Sequence, residues 1–146
     1  MDRAFAIAAT FAVGALVAFQ PPANEQLARL VGTYGSALVS LLISLALVTT
    51  VLVFTGGFGE LRGINAFRPE MALGGIAGAA IVVVTLITVR ELGAGGVAAA
   101  AVTGQLILSV ILDRLGIMGL EQIGLTPQRV AGVALLLAGT VLVTLR

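Results

Sequence analysis

The side chains of this sequence that could recognise a ligand are three amides and one carboxylate, lying within or beside apolar stretches. Gln20 and Asn24 are one helical turn apart and so share a face, and Gln105 lies in the middle of another apolar stretch. Amides donate and accept hydrogen bonds, which suits the binding of a solute rather than bond-making. Glu25 could bind a proton, but it lies about 100° around the helix from Asn24 and need not share the amide face.

A double proline separates the first two amides. Pro21 and Pro22 lack backbone N–H groups, so they leave the carbonyls near Val17 and Ala18 without helical partners. A broken helix with polar groups beside it is a common way for transporters to build a binding site at mid-membrane. The alternative is a kinked helix whose amides form interhelical hydrogen bonds of about 0.6 to 2 kcal/mol each.

Two further helical faces carry polar side chains at i, i+4, i+8 spacing. One face contains Ser36, Ser40 and Ser44, and the other contains Gln105, Ser109 and Asp113. Polar groups at membrane depth are costly, so these faces must meet protein or water. We therefore expect Ser40, Ser44 and Ser109 to contribute to a solute site, with helix–helix hydrogen bonding as the alternative.

The elements that position these groups are predicted by the composition. Hydrophobic residues make up 59% of the 146 positions, and charged residues make up 10%. A soluble domain carries about 25% charged residues, so a soluble enzyme is excluded. Apolar runs of about 20 residues form transmembrane helices, and five such runs cover residues 4–31, 36–54, 71–89, 93–112 and 130–145. We predict an all-α integral membrane protein, with residues 1–146 forming a single transmembrane domain.

Missing residue types limit the chemistry further. The sequence contains no Cys, His or Trp, which removes disulfides, thiol nucleophiles, imidazole bases and the usual zinc ligands. Eight basic and seven acidic residues give a net charge of +1, which supplies no basic surface for nucleic acid. We expect no catalytic activity, no cofactor and no metal. Lipid and other helices are the expected partners.

Small residues predict the faces through which helices pack. Gly74 and Gly78 share a face of the third apolar run, and Gly132 and Gly139 share a face of the fifth. Helices in lipid associate where small residues allow the backbones to approach closely. These four positions are therefore expected at helix–helix contacts.

Arginine placement gives a weak prediction of orientation. The N-terminal side of the five-helix arrangement carries Arg3, Arg62, Arg68, Arg114 and Arg129, and the opposite side carries Arg29, Arg90 and Arg146. Cytoplasmic loops carry the excess of basic residues, so this distribution favours a cytoplasmic N-terminus. A bias this small also permits insertion in both orientations.

Five short segments share their order and spacing with a known group of membrane proteins. They are residues 20–27 (QPPANEQL), 92–95 (LGAG), 104–106 (GQL), 112–116 (LDRLG) and 132–139 (GVALLLAG). Over essentially the whole chain the sequence resembles the five-helix YdcZ-type family of the drug/metabolite transporter superfamily. The resemblance implies a bacterial inner-membrane protein related to half of a ten-helix transporter. It also implies that Gln20, Asn24 and Gln105 belong to the family's polar pattern, and that Glu25 stands where a small residue is more usual.

Three functions are compatible with these residues. Many transporters use two inverted repeats around a midplane site. Five spans suit this arrangement, because after an odd number of crossings a second copy begins on the opposite side of the membrane. We therefore expect a small-solute transporter that works by alternating access as an antiparallel dimer, with an identical or paralogous chain as its partner. The alternatives are a structural or accessory membrane subunit and a proton-coupled multidrug exporter using Glu25. A single Tyr and the lack of Trp disfavour the exporter of cations, because an aromatic cage is poorly supplied.

The small arginine bias has a measurable consequence. A single cysteine added at the N-terminus, or in a separate variant near Arg146, should react with a membrane-impermeant thiol reagent from both sides of the membrane. Two arginines added at residues 32–35 should shift the ratio of the two orientations, because charge near the ends of spans sets topology. Strictly one-sided labelling of the chain expressed alone would rule out an antiparallel homodimer.

Overall fold

The computed structural model describes residues 2–117 and 119–145, and the regular secondary structure of these residues is entirely helical. The helices are α1 (Arg3–Val17), α2 (Gln20–Val31), α3 (Thr33–Phe54), α4 (Leu73–Leu115) and α5 (Pro127–Thr144). Two 3-10 helices, Gly57–Ala66 and Pro69–Ala72, lie between α3 and α4. The predicted all-α class is confirmed. The chain divides into two compact units, residues 1–88 and 89–146.

Four helical stretches are long and apolar enough to cross a bilayer: Arg3–Val31, Thr33–Phe54, Pro69–Leu115 and Pro127–Thr144. The third has 47 residues, more than twice the length of about 20 that one crossing requires. It is interrupted at Gly93, whose φ of 69° and ψ of 169° are not helical and suit a residue without Cβ. Gly93 therefore divides α4 into two segments, which correspond to the third and fourth predicted spans.

The surfaces of the helices are apolar. Every residue of α1 and of α5 is at least partly exposed, and large side chains such as Phe11, Leu16, Leu135 and Leu142 are more than half exposed. Water would strongly disfavour so much exposed hydrocarbon. The helices are therefore suited to a lipid environment, as the composition predicts.

In the first unit the chain breaks between α1 and α2 and then turns back sharply. Pro21 and Pro22 lie in the first turn of α2, where the missing N–H groups leave no helical hydrogen bond unmade. Gly32 alone links α2 to α3, so the two helices form a tight hairpin. This hairpin packs against the first segment of α4 through a small apolar core, which contains Ala28, Ala37, Val82 and Leu86 with Leu41 and Val83 at its edge.

In the second unit the later segment of α4 and α5 form an antiparallel pair. A Cβ on Gly96 would lie 3.4 Å from Cγ2 of Thr144, so the backbone of α4 is close to α5 at this end. Further along, the hydroxyls of Thr103 and Thr140 share a hydrogen bond, and Thr140 Oγ1 also donates to the carbonyl of Ala99 at 3.1 Å. Paired threonines thus join the two helices without leaving a hydroxyl unsatisfied at membrane depth.

The loop between α4 and α5 is held by polar contacts at its two ends. The N–H of Ile123 donates to the carbonyl of Asp113 at 2.8 Å, and Gln122 Nε2 donates to the carbonyl of Arg114 at 2.9 Å. Thr126 caps α5 by accepting a hydrogen bond from the N–H of Arg129 at 3.3 Å. These contacts satisfy backbone groups that the two helix ends leave open.

Candidate functional site

The first two predicted amides lie on α2, in the first unit. Gln20 is half-buried at the start of the helix, and Asn24 is 8% exposed one turn later. The backbone carbonyl of Asn24 accepts a 2.6 Å hydrogen bond from Oγ of Ser36, which is fully buried on α3. This contact fixes the backbone of α2 against α3 at the position of Asn24.

The side-chain amide of Asn24 has no hydrogen-bond partner among residues 2–117 and 119–145. Its nitrogen and oxygen are not fully enclosed, so both keep some accessible area. An amide that is mostly buried without a partner costs about 1 to 3 kcal/mol unless water, a ligand or another chain satisfies it. Asn24 is therefore a polar group held rigidly by its backbone and open at its side chain.

The third predicted amide lies in the second unit. Gln105 and Ser109 are both exposed on the later segment of α4, and within the described residues the Gln105 amide makes no hydrogen bond. Gln105 is near the middle of this apolar segment, where an amide facing lipid alone would be strongly disfavoured. The environment of Gln105 in the membrane must therefore include something other than lipid.

The three serines of α3 differ in environment despite their equal spacing. Ser36 is buried and bonded to α2, Ser40 is half-buried, and Ser44 is exposed. The hydroxyl of Ser44 donates to the carbonyl of Ser40 at 3.0 Å, within its own helix. Such a bond satisfies a hydroxyl at membrane depth without any neighbour, so Ser36 is a structural contact and the assignment of Ser40 and Ser44 to a solute site stays a prediction.

Glu25 is paired with Arg29 one turn along α2. Oε2 of Glu25 lies 3.1 Å from NH2 of Arg29, and the Arg29 Nε donates to both carboxylate oxygens at 3.1 Å. The Glu25 side chain is 16% exposed and the Arg29 side chain is 72% exposed. The signal for this pair in the sequence was the i, i+4 spacing of an acidic and a basic residue. The pair compensates the charge of the one carboxylate considered for proton binding.

Asp113 makes an ion pair with Arg129 on α5 and not with its sequence neighbour Arg114. It follows Gln105 and Ser109 on one helical face and precedes Arg114, yet its Oδ2 lies 3.0 Å from NH1 of Arg129 on α5. Both side chains are about one third exposed or less. The signal for this pair was the placement of opposite charges at the facing ends of two consecutive helices. Asp113 therefore joins α4 to α5.

The glycines predicted at helix contacts face open space within their own units. No described atom of the same unit lies within 4 Å of a Cβ built on Gly74, Gly78, Gly132 or Gly139. The later segment of α4 meets α5 at Gly96 and the paired threonines instead, because these residues face the other helix. Packing at the four predicted glycines thus stays a prediction.

Long apolar helices with amides inside the apolar segments are typical of a polytopic membrane protein. The chain matches, over residues 5–142, the family described as "Putative inner membrane exporter, YdcZ". It belongs to this family, which is part of the drug/metabolite transporter superfamily. No curated protein and no solved structure matches the chain.

The contrast between Ser36 and Ser44 can be tested directly. Ser36→Ala removes a buried donor from the Asn24 carbonyl and should lower the free energy of unfolding in detergent by about 1 to 3 kcal/mol. Ser44→Ala removes an exposed hydroxyl that bonds only within its own helix, and should change the free energy of unfolding by less than about 0.5 kcal/mol. Equal effects of the two substitutions on thermal unfolding would contradict the structural role of Ser36.

Proposed function

We propose that the chain moves a small organic solute across the inner membrane by alternating access, and that it works as an antiparallel dimer. The amides of Gln20, Asn24 and Gln105, with the hydroxyl of Ser109, are the hydrogen-bonding groups for the solute. The chemistry is binding and release, so the proposal requires neither a cofactor nor a metal. The partner is a second copy of the chain or a paralogous five-helix chain.

The environment of Gln105 is the observation that carries the proposal. Gln105 is an exposed amide near the middle of a membrane-crossing segment, and it makes no hydrogen bond to any residue that the structure describes. A solute site provides the missing partner, since water or solute hydrogen-bonds the amide in every state of the transport cycle. Asn24 is similar, because its side-chain amide lacks a partner although the residue is mostly buried.

The dimer is supported by the number of helical crossings in one chain. With α4 divided at Gly93, the chain provides five crossing segments. An odd number of crossings leaves the two ends of one copy on opposite sides of the membrane, so a second copy that begins where the first one ends has the inverted orientation. Many transporters use such inverted repeats. Gly74, Gly78, Gly132 and Gly139 leave faces at which the backbones of two copies could approach closely.

A structural or accessory subunit would place the same amides differently. In that case Gln20, Asn24 and Gln105 would hydrogen-bond helices of another chain, and no water would reach them. A transport site requires the opposite, because a solute enters and leaves through water. Water access to Gln105 therefore separates the two functions.

Water access can be measured with single cysteines, because the chain contains no cysteine of its own. We expect Gln105→Cys to react much faster with a hydrophilic thiol reagent than Ala100→Cys, in native membranes. Ala100 is exposed on the same segment and lies about 140° around the helix from Gln105, which makes it a matched lipid-facing control. Equally slow reaction of both cysteines would contradict a solvated site and would support the accessory subunit.

Substitution by leucine provides the matching stability measurement. Gln20→Leu, Asn24→Leu and Gln105→Leu should leave detergent stability and dimer retention unchanged if water or solute satisfies the amides. If the amides instead bond to protein, each substitution leaves a buried group unsatisfied, at a cost of about 1 to 3 kcal/mol. Stability losses in all three variants would contradict the transport site.

Glu25 has no coupling role in this proposal. Glu25→Gln should leave folding intact, because a charge near the end of a span can reach the membrane interface, and Arg29→Gln is the control for loss of the contact with Arg29. The labelling ratio of Gln105→Cys to Ala100→Cys should respond to pH in the same way with and without Glu25→Gln. A pH response that is lost in Glu25→Gln but kept in Arg29→Gln would assign proton coupling to the carboxylate and favour the proton-coupled exporter.

A further inference from the structure

The segment between α3 and α4 has an apolar face that the single chain leaves uncovered. A 3-10 helix has three residues per turn, so residues three apart lie in one row along its axis. In the 3-10 helix Gly57–Ala66 this row contains Phe58, Leu61 and Ile64, and it continues to Phe67 at the helix end. We call these four residues the apolar ridge, and each of them is at least half exposed.

The segment begins close to the end of α3. Gly56 has a φ of 68°, in the left-handed region, and so reverses the chain just after α3. Gly57 is buried, and a Cβ at this position would lie 2.7 Å from Cδ1 of Leu52, one turn from the end of α3. The 3-10 helix therefore starts against the last turns of a membrane-crossing helix rather than projecting away from it.

The apolar surface also continues towards α4. A groove of about 260 Å³ lies beside the ridge, and Met71, two residues before α4 begins, lines it together with Glu60, Leu61, Gly63, Ile64, Ala66 and Phe67. The ridge thus adjoins the start of the next crossing helix. Since both ends of the segment are attached to helices that enter the bilayer, its position is limited to the membrane surface.

The polar residues of the segment lie on other rows of the 3-10 helix than the ridge, although the Glu60 side chain borders the groove beside it. Arg62 and Asn65 share a second row of the 3-10 helix. Arg68 is paired with Glu70, with 3.1 Å between Nε and Oε1. An apolar face bordered by an arginine is typical of helices that lie in the plane of the membrane interface, and a long arginine side chain can reach the headgroups from there.

We propose that the 3-10 helix Gly57–Ala66 is an interfacial anchor, whose apolar ridge inserts between the acyl chains just below the lipid headgroups while Arg62 lies at the level of the phosphates. The occupant of the uncovered face is therefore the bilayer itself. The anchor fixes the depth at which α3 ends and α4 begins. This inference does not depend on the transported solute or on dimer formation.

The absence of tryptophan from the sequence allows a direct measurement. Leu61→Trp and Phe67→Trp place single fluorophores on the ridge, and Asn65→Trp places one on the polar row as the matched control. The full chain is reconstituted in phosphatidylcholine vesicles with bromine on the acyl chains near the headgroups. We expect a blue-shifted emission and several-fold stronger quenching by brominated lipid for the two ridge variants than for Asn65→Trp, which iodide should quench instead.

Two results would overturn the anchor. Quenching of the ridge tryptophans by iodide to the same extent as Asn65→Trp would place the segment in water. Protection of the ridge tryptophans from both iodide and brominated lipid would show that protein covers them, and a second copy of the chain would then be the occupant. Phe67→Trp exchanges one aromatic residue for another, so its result stands if Leu61→Trp fails to fold.

Discussion

Polar groups within a bilayer must find partners without the help of water, and this requirement accounts for most of the contacts in the structure. The helices satisfy their own backbone groups. Hydroxyls on the apolar helices bond one turn back, as Thr49 does to the carbonyl of Leu45 and Thr50 does to the carbonyl of Ala46. Thr103 and Thr140 satisfy each other between α4 and α5. The side-chain amides of Asn24 and Gln105 differ, because they have no hydrogen-bond partner among the described residues. An amide without a partner is costly in a membrane, so both residues are candidates for a binding site.

The backbone of Asn24 is fixed by a hydrogen bond, whereas its side-chain amide is available to a ligand. Its backbone carbonyl is bonded to the buried hydroxyl of Ser36, so α2 cannot shift along α3 at this point without losing the bond. The side chain of the same residue keeps accessible polar atoms. A binding group is most effective when its support is rigid, because less ordering is then required when a ligand binds. The proline-induced start of α2 one turn earlier contributes to the same positioning.

The sequence predicts the helices well because the length of an apolar run is a property of the run alone. It predicts contacts less well, since a contact depends on which helix lies opposite. Ser36, Ser40 and Ser44 share one face, yet only Ser36 meets α2, because the single-residue link at Gly32 brings these helix ends together. Asp113 pairs with Arg129 rather than its neighbour because a capped loop returns the chain to the same surface. The pair of Glu25 with Arg29 was readable from spacing, and the break in α4 at Gly93 agrees with the predicted end of one span at residue 89 and start of the next at residue 93.

Two of the arginines that contribute to the weak orientation bias form ion pairs within the protein. Arg68 is paired with Glu70, and Arg129 is paired with Asp113, so their charges are compensated in part within the protein. An antiparallel dimer would require the segment after α3 to lie at one surface in the first copy and at the opposite surface in the second. An anchor based on Phe58, Leu61, Ile64 and Phe67 suits this requirement, because the hydrophobic effect stabilises it equally in either leaflet. Attachment through many unpaired arginines would favour one leaflet and would work against insertion in both orientations.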